Sequence, residues 1–232
     1  MKKLLFFLVV VTSLWACEED EKETPKDYGM KTFKAELDYS SSMPPGGGMP
    51  VSTYATQAFF KFDKADPTVH IGEKGTDSYT AYNMVNGVDG EEYNITTDVE
   101  GWDMVFTAYR KNLMSPDNPY IRDLAGVLIN PSVVQIAKIE YTDSEDPEAI
   151  SKAFADLKIE NLNNPTYNSE IDVIGHNWKS VDMNTGFFTV HTNLFYIIKH
   201  TSGDAYKLRF VGFQAANDKT DRFISIEYAL MQ

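Results

Sequence analysis

Apolar and polar positions alternate through most of this chain with a period close to two. The clearest case is residues 205–213, where Tyr206, Leu208 and Phe210 share one face of an extended segment and Lys207 and Arg209 fall between them. Similar short runs predict strands over residues 30–39, 58–62, 93–96, 102–109, 124–129, 133–141, 187–191, 194–199 and 222–228. Thr201-Ser202-Gly203-Asp204 predicts a tight hairpin before the strand at 205–213, and residues 63–67 predict another turn. Residues 43–50, rich in proline and glycine, predict a loop, because proline cannot donate to a ladder and glycine packs nothing.

One helical pattern interrupts the strands. Ile150, Phe154 and Leu157 recur at i, i+4 and i+7, giving one apolar face. Asp146 stands where an N-cap belongs, Pro147 suits the first helical position, and Glu148 suits the positive end of the helix dipole. No internal repeat is visible. The expected fold is mainly β: a single antiparallel β domain with one short helix.

The N-terminus reads differently. Lys2 and Lys3 precede the short apolar run of residues 4–11, which falls far short of the ~20 residues a membrane span needs. That layout predicts a secretory signal peptide. Leu14-Trp15-Ala16-Cys17 resembles the bacterial lipobox, which implies a diacylated Cys17 as the mature N-terminus. Glu18-Glu19-Asp20-Glu21-Lys22-Glu23 follows, a charge-dense block with nothing to bury. It also resembles the acidic export signal of surface-exposed lipoproteins of the Bacteroidota. The expected organisation is a signal peptide at 1–16, a lipidated acidic tether at 17–29 and a β domain at 30–232.

Composition narrows the partners. The full chain carries 21 Lys and Arg against 34 Asp and Glu, a net charge of −13. Loss of Lys2 and Lys3 with the leader makes the mature chain more acidic still. Such a surface repels phosphate backbones and anionic lipid, so nucleic-acid binding is excluded and membrane attachment falls to the lipid on Cys17. Cys17 is the only cysteine, so acylation leaves no thiol for a disulfide, a thiolate metal site or a nucleophile.

Catalytic signatures are missing. The chain has no G-x-S-x-G, no H-E-x-x-H, no P-loop and no dinucleotide glycine pattern. His70, His176, His191 and His200 lack zinc-ligand spacing, although His191 and His200 could meet across an expected hairpin. The expectation is a binding protein, not an enzyme. Methionine is the chemistry that stands out. Met104, within an apolar strand, reads as core, whereas Met43 and Met49 flank the glycine-proline loop. Met183 sits in the turn-like segment Ser180-Val181-Asp182-Met183-Asn184-Thr185-Gly186, where a thioether can serve as a soft axial ligand to haem iron.

A series of motifs resembles the HmuY family of haem-binding lipoproteins of the Bacteroidota. It runs through Ala58-Phe59-Phe60-Lys61-Phe62, then Gly101-Trp102-Asp103-Met104-Val105-Phe106, then Asn177-Trp178 and Phe187-Phe188-Thr189-Val190. Phe195-Tyr196-Ile197-Ile198, Tyr206-Lys207-Leu208-Arg209-Phe210 and the closing strand from Phe223 to Tyr228 complete the order, which spans the chain from about residue 54. The resemblance implies an all-β fold whose hairpin loops grip haem at one end, with iron held by a His pair or a Met pair. One family ligand lies about five residues beyond a Trp, which from Trp178 gives Met183. The other lies about 30 residues earlier, within residues 151–157, where this chain has neither Met nor His. Met114 and His176 are the substitutes by position in loops.

The function implied is capture of haem by a lipoprotein anchored in the outer membrane, facing the cell surface or the periplasm, and delivery to a TonB-dependent outer-membrane receptor; the acidic block favours surface exposure. The alternative is a non-enzymatic module on the same scaffold that binds a glycan, a peptide or a partner protein.

Overall fold

The computed structural model describes residues 29–42, 51–54, 56–64, 66–73, 79–80, 94–95, 99–114, 117, 121–182, 184–213 and 221–231. The strands are β1 (Lys31–Ser42), β2 (Val51–Tyr54), β3 (Thr56–Lys61), β4 (Thr68–Glu73), β5 (Tyr79–Thr80), β6 (Asn94–Ile95), β7 (Met104–Asn112), β8 (Ile121–Ile129) and β9 (Val134–Glu140). After the helix α1 (Pro147–Asp156) come β10 (Lys179–Val181), β11 (Phe188–Val190), β12 (Leu194–His200), β13 (Ala205–Phe213) and β14 (Asp221–Leu230). A six-stranded sheet has the order β2-β1-β14-β13-β12-β9, and a four-stranded sheet the order β4-β3-β7-β8. The pairs within both are antiparallel. Two-stranded ribbons, β10-β11 and β5-β6, complete the set.

The sheets pack face to face over an aromatic core. Phe33 of β1 lies 5.0 Å from Phe60 and 5.3 Å from Phe106 of the facing sheet, ring centroid to ring centroid. Phe60 and Tyr228 meet edge to face at 5.4 Å, and Phe62 stacks on Tyr206 at 4.5 Å. Burying rings of this size from both inner faces supplies the main driving force for the sandwich. Met104 is fully buried in that core, as its apolar setting predicts.

The alternation in β13 has a twist. Tyr206, Leu208 and Phe210 face the core, yet Lys207 and Arg209 on the other face are also buried, because α1 lies over them. Arg209 is paired with Glu227 at 2.7 Å and donates to Ser151 Oγ, while Lys207 donates to the carbonyls of Ala155 and Leu157 at the end of α1. The helix itself starts as its sequence predicts: the Asp146 side chain accepts from the N–H groups of Glu148 and Ala149. Ile150 and Phe154 are its buried residues, packed on Phe195.

Residues 168–178 form a strap along the side where β8 and β9 are the sheet edges. Gly175 exchanges both backbone hydrogen bonds with Val127, and Ile129 donates to Ile171. Asn168 likewise exchanges both bonds with Ile136 of β9. The strap therefore occupies edge groups that would otherwise pair with another chain. It fits because Gly126 and Gly175 lack side chains: a Cβ on Gly126 would lie 2.6 Å from the Gly175 carbonyl, and Gly175 has φ +58°.

Strand directions divide the sandwich into two poles. Lys31, Phe62, Asp103, His200, Tyr206 and Tyr228 mark the N-terminal pole, where β1 begins. β1, β7 and β13 end at the opposite, hairpin pole, where β3, β8 and β14 begin. His191 and His200 are not neighbours. They stand at the two ends of β12, since one strand rather than a hairpin separates them. Of the expected strand at residues 93–96 the described residues show β6, and β2, β4 and β10 lie outside the strands predicted from sequence. The expected loop at residues 43–50 lies outside the described residues.

Candidate functional site

The hairpin pole gathers the side chains that the core does not absorb. The β10-β11 ribbon pairs Val181 with Phe188 and Lys179 with Val190. Phe188 packs edge to face on Phe213, the last residue of β13, at 4.9 Å. Below it Trp178 is fully buried, stacked 4.2 Å from Phe210 at 10°, with its indole N–H donated to the Gly175 carbonyl. The Lys179 ammonium lies 4.0 Å over the Trp178 ring and donates to the Ala125 carbonyl. A rigid aromatic base thus aims the ribbon toward the end where β7 finishes and β8 starts.

The connection at the ribbon's tip is closed by its own backbone. Asp182 N–H donates to the Phe187 carbonyl, and Gly186 N–H donates to the Asp182 carbonyl at 2.7 Å, with φ +74° at Gly186. The Asp182 carboxylate accepts from the Asn184 N–H at 2.8 Å, and that bond holds its pKa below the usual carboxylate value. Met183 and Cys17 both lie outside the described residues. The residues that flank Met183 are the ones fixed by this turn.

Four large apolar residues on the two connections at this pole are exposed. Leu113 and Met114 follow β7, at 43% and 55% exposure, and Val181 and Phe187 flank the ribbon's tip, at 43% and 76%. Each is apolar surface at the same end of the sandwich that a ligand can cover. Sequence reading singled out Met114 but passed over Leu113, Val181 and Phe187. The available signal was their position beside turn residues, which offer no core to enter.

His176 lies lower, on the strap. Its Nδ1 is 2.8 Å from the hydroxyl of Tyr109, a fully buried residue on the outer face of β7. Burial first, then the ammonium groups of Lys179 and Lys111, hold His176 well below its ordinary value, at about 4, against the opposing pull of Asp172. The ring is therefore neutral at physiological pH. The stretch at residues 151–157, where the resemblance puts a second axial ligand, belongs to α1 and its C-cap on the outer face of the six-stranded sheet. That placement keeps those residues away from the hairpin pole. Among the described residues no three His, Cys, Asp or Glu side chains converge to hold a metal ion, and no helix is long and apolar enough to cross a membrane.

The family model described as HmuY protein matches residues 53–228. No curated protein matches the chain. Among solved structures, one described as a lipoprotein of Bacteroides fragilis NCTC 9343 is similar at 15% identity and a TM-score of 0.39, covering 89% of this chain and 97% of that one. Apo PinO from Porphyromonas gingivitis is similar at 14% identity and a TM-score of 0.38, covering 88% and 98%. A protein described as HmuY-like and heme-binding, from Bacteroides vulgatus ATCC 8482, is similar at 17% identity and a TM-score of 0.37, covering 75% and 85%.

Proposed function

This chain belongs to the HmuY family, and from that premise we propose that it captures haem at the hairpin pole and passes it on without chemistry of its own. The observation that supports the reading is the exposure of Leu113, Met114, Val181 and Phe187 on the connections at that pole. The donor set fits the ligand. A haem needs apolar contact for its macrocycle and a donor for its iron; Leu113, Val181 and Phe187 would supply the first and the thioethers of Met114 and Met183 the second. Met183 is the candidate axial ligand. Met114, exposed on the neighbouring connection, is the better-placed second thioether, whereas His176 commits Nδ1 to Tyr109 lower on the strap. Haem here is cargo: the protein binds, shields and releases it.

The same proposal covers the rest of the chain. Residues 1–16 are removed as a signal peptide, Cys17 is lipidated, residues 17–29 tether the domain, and residues 30–232 do the binding. The protein is anchored in the outer membrane, displayed at the cell surface, and hands haem to a TonB-dependent receptor. Titrating haem into the mature chain carrying Cys17→Ala tests the reading. A Soret band with red-shifted visible bands is expected; a spectrum equal to that of free haem removes the proposal.

A further inference from the structure

β13 does not keep its period of two to the end. It pairs one to one with β14 from Tyr206 and Leu230 as far as Phe210 and Ile226, but the next pairs are Gly212 with Ser225 and Phe213 with Ile224. Val211 is the extra residue of a β-bulge, and the parity of the strand reverses across it. Strict alternation from Phe210 would carry Gly212 inward and Phe213 outward. The bulge instead turns Phe213 to the core face, which Phe210, Ile224 and Ile226 share. Gly212 suits the pinch, because a Cβ there would lie 3.3 Å from both the Phe223 ring and the Ser225 Cβ.

That reversal brings Phe213 to the ribbon. Phe213 meets Phe188 of β11 edge to face at 4.9 Å and Trp178 at 5.5 Å, and the Lys179 ammonium of β10 lies 4.6 Å over its ring. Phe188 pairs in turn with Val181, the last residue of β10. One side chain of β13 therefore touches both strands of the ribbon just before residues 182–187 close the turn. An outward Phe213 would stand on the opposite side of the sheet from Trp178. The bulge gives up regular pairing at the end of β13, and what that end then holds is the ribbon.

We propose that the Val211 bulge and Phe213 form a positioning device for Met183. Phe213 is the positioning residue: it acts through Phe188 on the ribbon and is not itself a ligand. The inference rests on the reading of Met183 as an axial ligand and adds which part of the sandwich fixes its ribbon.

The test titrates reduced and oxidised haem into the mature chain carrying Cys17→Ala. Phe213→Leu keeps an apolar side chain and loses the ring contact. It is expected to weaken ferrous haem binding about threefold and ferric binding less, the same split that loss of the Met183 sulfur produces. Phe188→Leu, from the other side of the contact, reproduces that split. In a chain already carrying Met183→Ala, neither substitution lowers affinity further. A Phe213→Leu loss that is absent, equal in the two redox states or undiminished beside Met183→Ala overturns the device and spares the haem reading. Unchanged affinity for both redox states on Met183→Ala overturns the ligand assignment and the device together, and so does failure of the unsubstituted ribbon to bind haem.

Discussion

Asp103 at the start of β7 and His200 at the end of β12 face each other across the two sheets, with Oδ1 3.3 Å from Nε2. The other carboxylate oxygen accepts from the Phe62 N–H at 2.6 Å. His200 Nδ1 accepts from the Ser202 N–H at 2.9 Å, which leaves the proton on Nε2, toward the carboxylate. Burial raises the Asp103 carboxyl above its ordinary value, and the Phe62 N–H and His200 pull it back.

The first prediction concerns this pair and pH. A carboxyl raised in the folded state favours folding below its unfolded pKa, and that contribution is lost as pH rises through the folded pKa. His200→Ala removes a group that restrains the rise, so Asp103 shifts further up. The substitution costs about 1–3 kcal/mol near pH 7, where the buried carboxylate loses His200 and keeps only the Phe62 N–H and the more distant charge of Lys61. The cost shrinks as pH falls and the carboxyl protonates. Urea unfolding at neutral and acid pH measures this; a cost that does not change with pH counts against the coupling.

A second prediction follows from Tyr196. Its ring is fully buried against Phe210, and its hydroxyl has no hydrogen-bond partner among the described residues. Tyr196→Phe deletes the orphaned group and keeps the packing, so it stabilises the fold by about 1 kcal/mol. The check is a higher denaturation midpoint at an unchanged m-value. Destabilisation of that size would mean the hydroxyl has a partner.

Gly126→Ala tests the strap. The new Cβ meets the Gly175 carbonyl at 2.6 Å and the Tyr109 ring at 2.7 Å, and neither is the end of a flexible chain. A loss of about 1–3 kcal/mol is expected from overpacking, together with faster amide exchange at Val127 and Gly175, whose mutual bonds the clash pries apart. Wild-type exchange at both amides would show the strap bears no such strain.

The fourth prediction addresses the axial ligands. Thioether sulfur is soft and favours ferrous over ferric iron. Met183→Ala is therefore expected to weaken ferrous haem binding by about tenfold or more and ferric binding less. Met114→Ala acts in the same direction. Titrations of reduced and oxidised haem followed by absorbance give both numbers, and an equal loss in the two redox states argues against sulfur ligation.

Much of the fold was legible because its signals are local. The N-cap of α1 needs only Asp146 and the two N–H groups after it, and the inward face of β13 follows from a period of two. The burial of Lys207 and Arg209 was not legible, since it depends on α1 arriving from about 50 residues away in sequence. The strap escaped notice for a similar reason. Its order comes from hydrogen bonds to the distant β8 and β9 edges rather than from any pattern of its own. The site divides the same way: Met183 stood out by its turn, while the company of Leu113, Val181 and Phe187 arises only when two connections some 70 residues apart share a pole.

The pole at which β1 begins has one more consequence. The chain enters the sandwich at Lys31, on the side of Phe62 and Asp103, at the end opposite the exposed Phe187. Thirteen residues span about 45 Å at most, so under the proposed lipidation of Cys17 that distance would bound how far the start of β1 stands from the bilayer. Handing cargo to a receptor in the same membrane, as proposed, would then require the domain to tip over, and the reach of residues 17–29 would set how far it can lean.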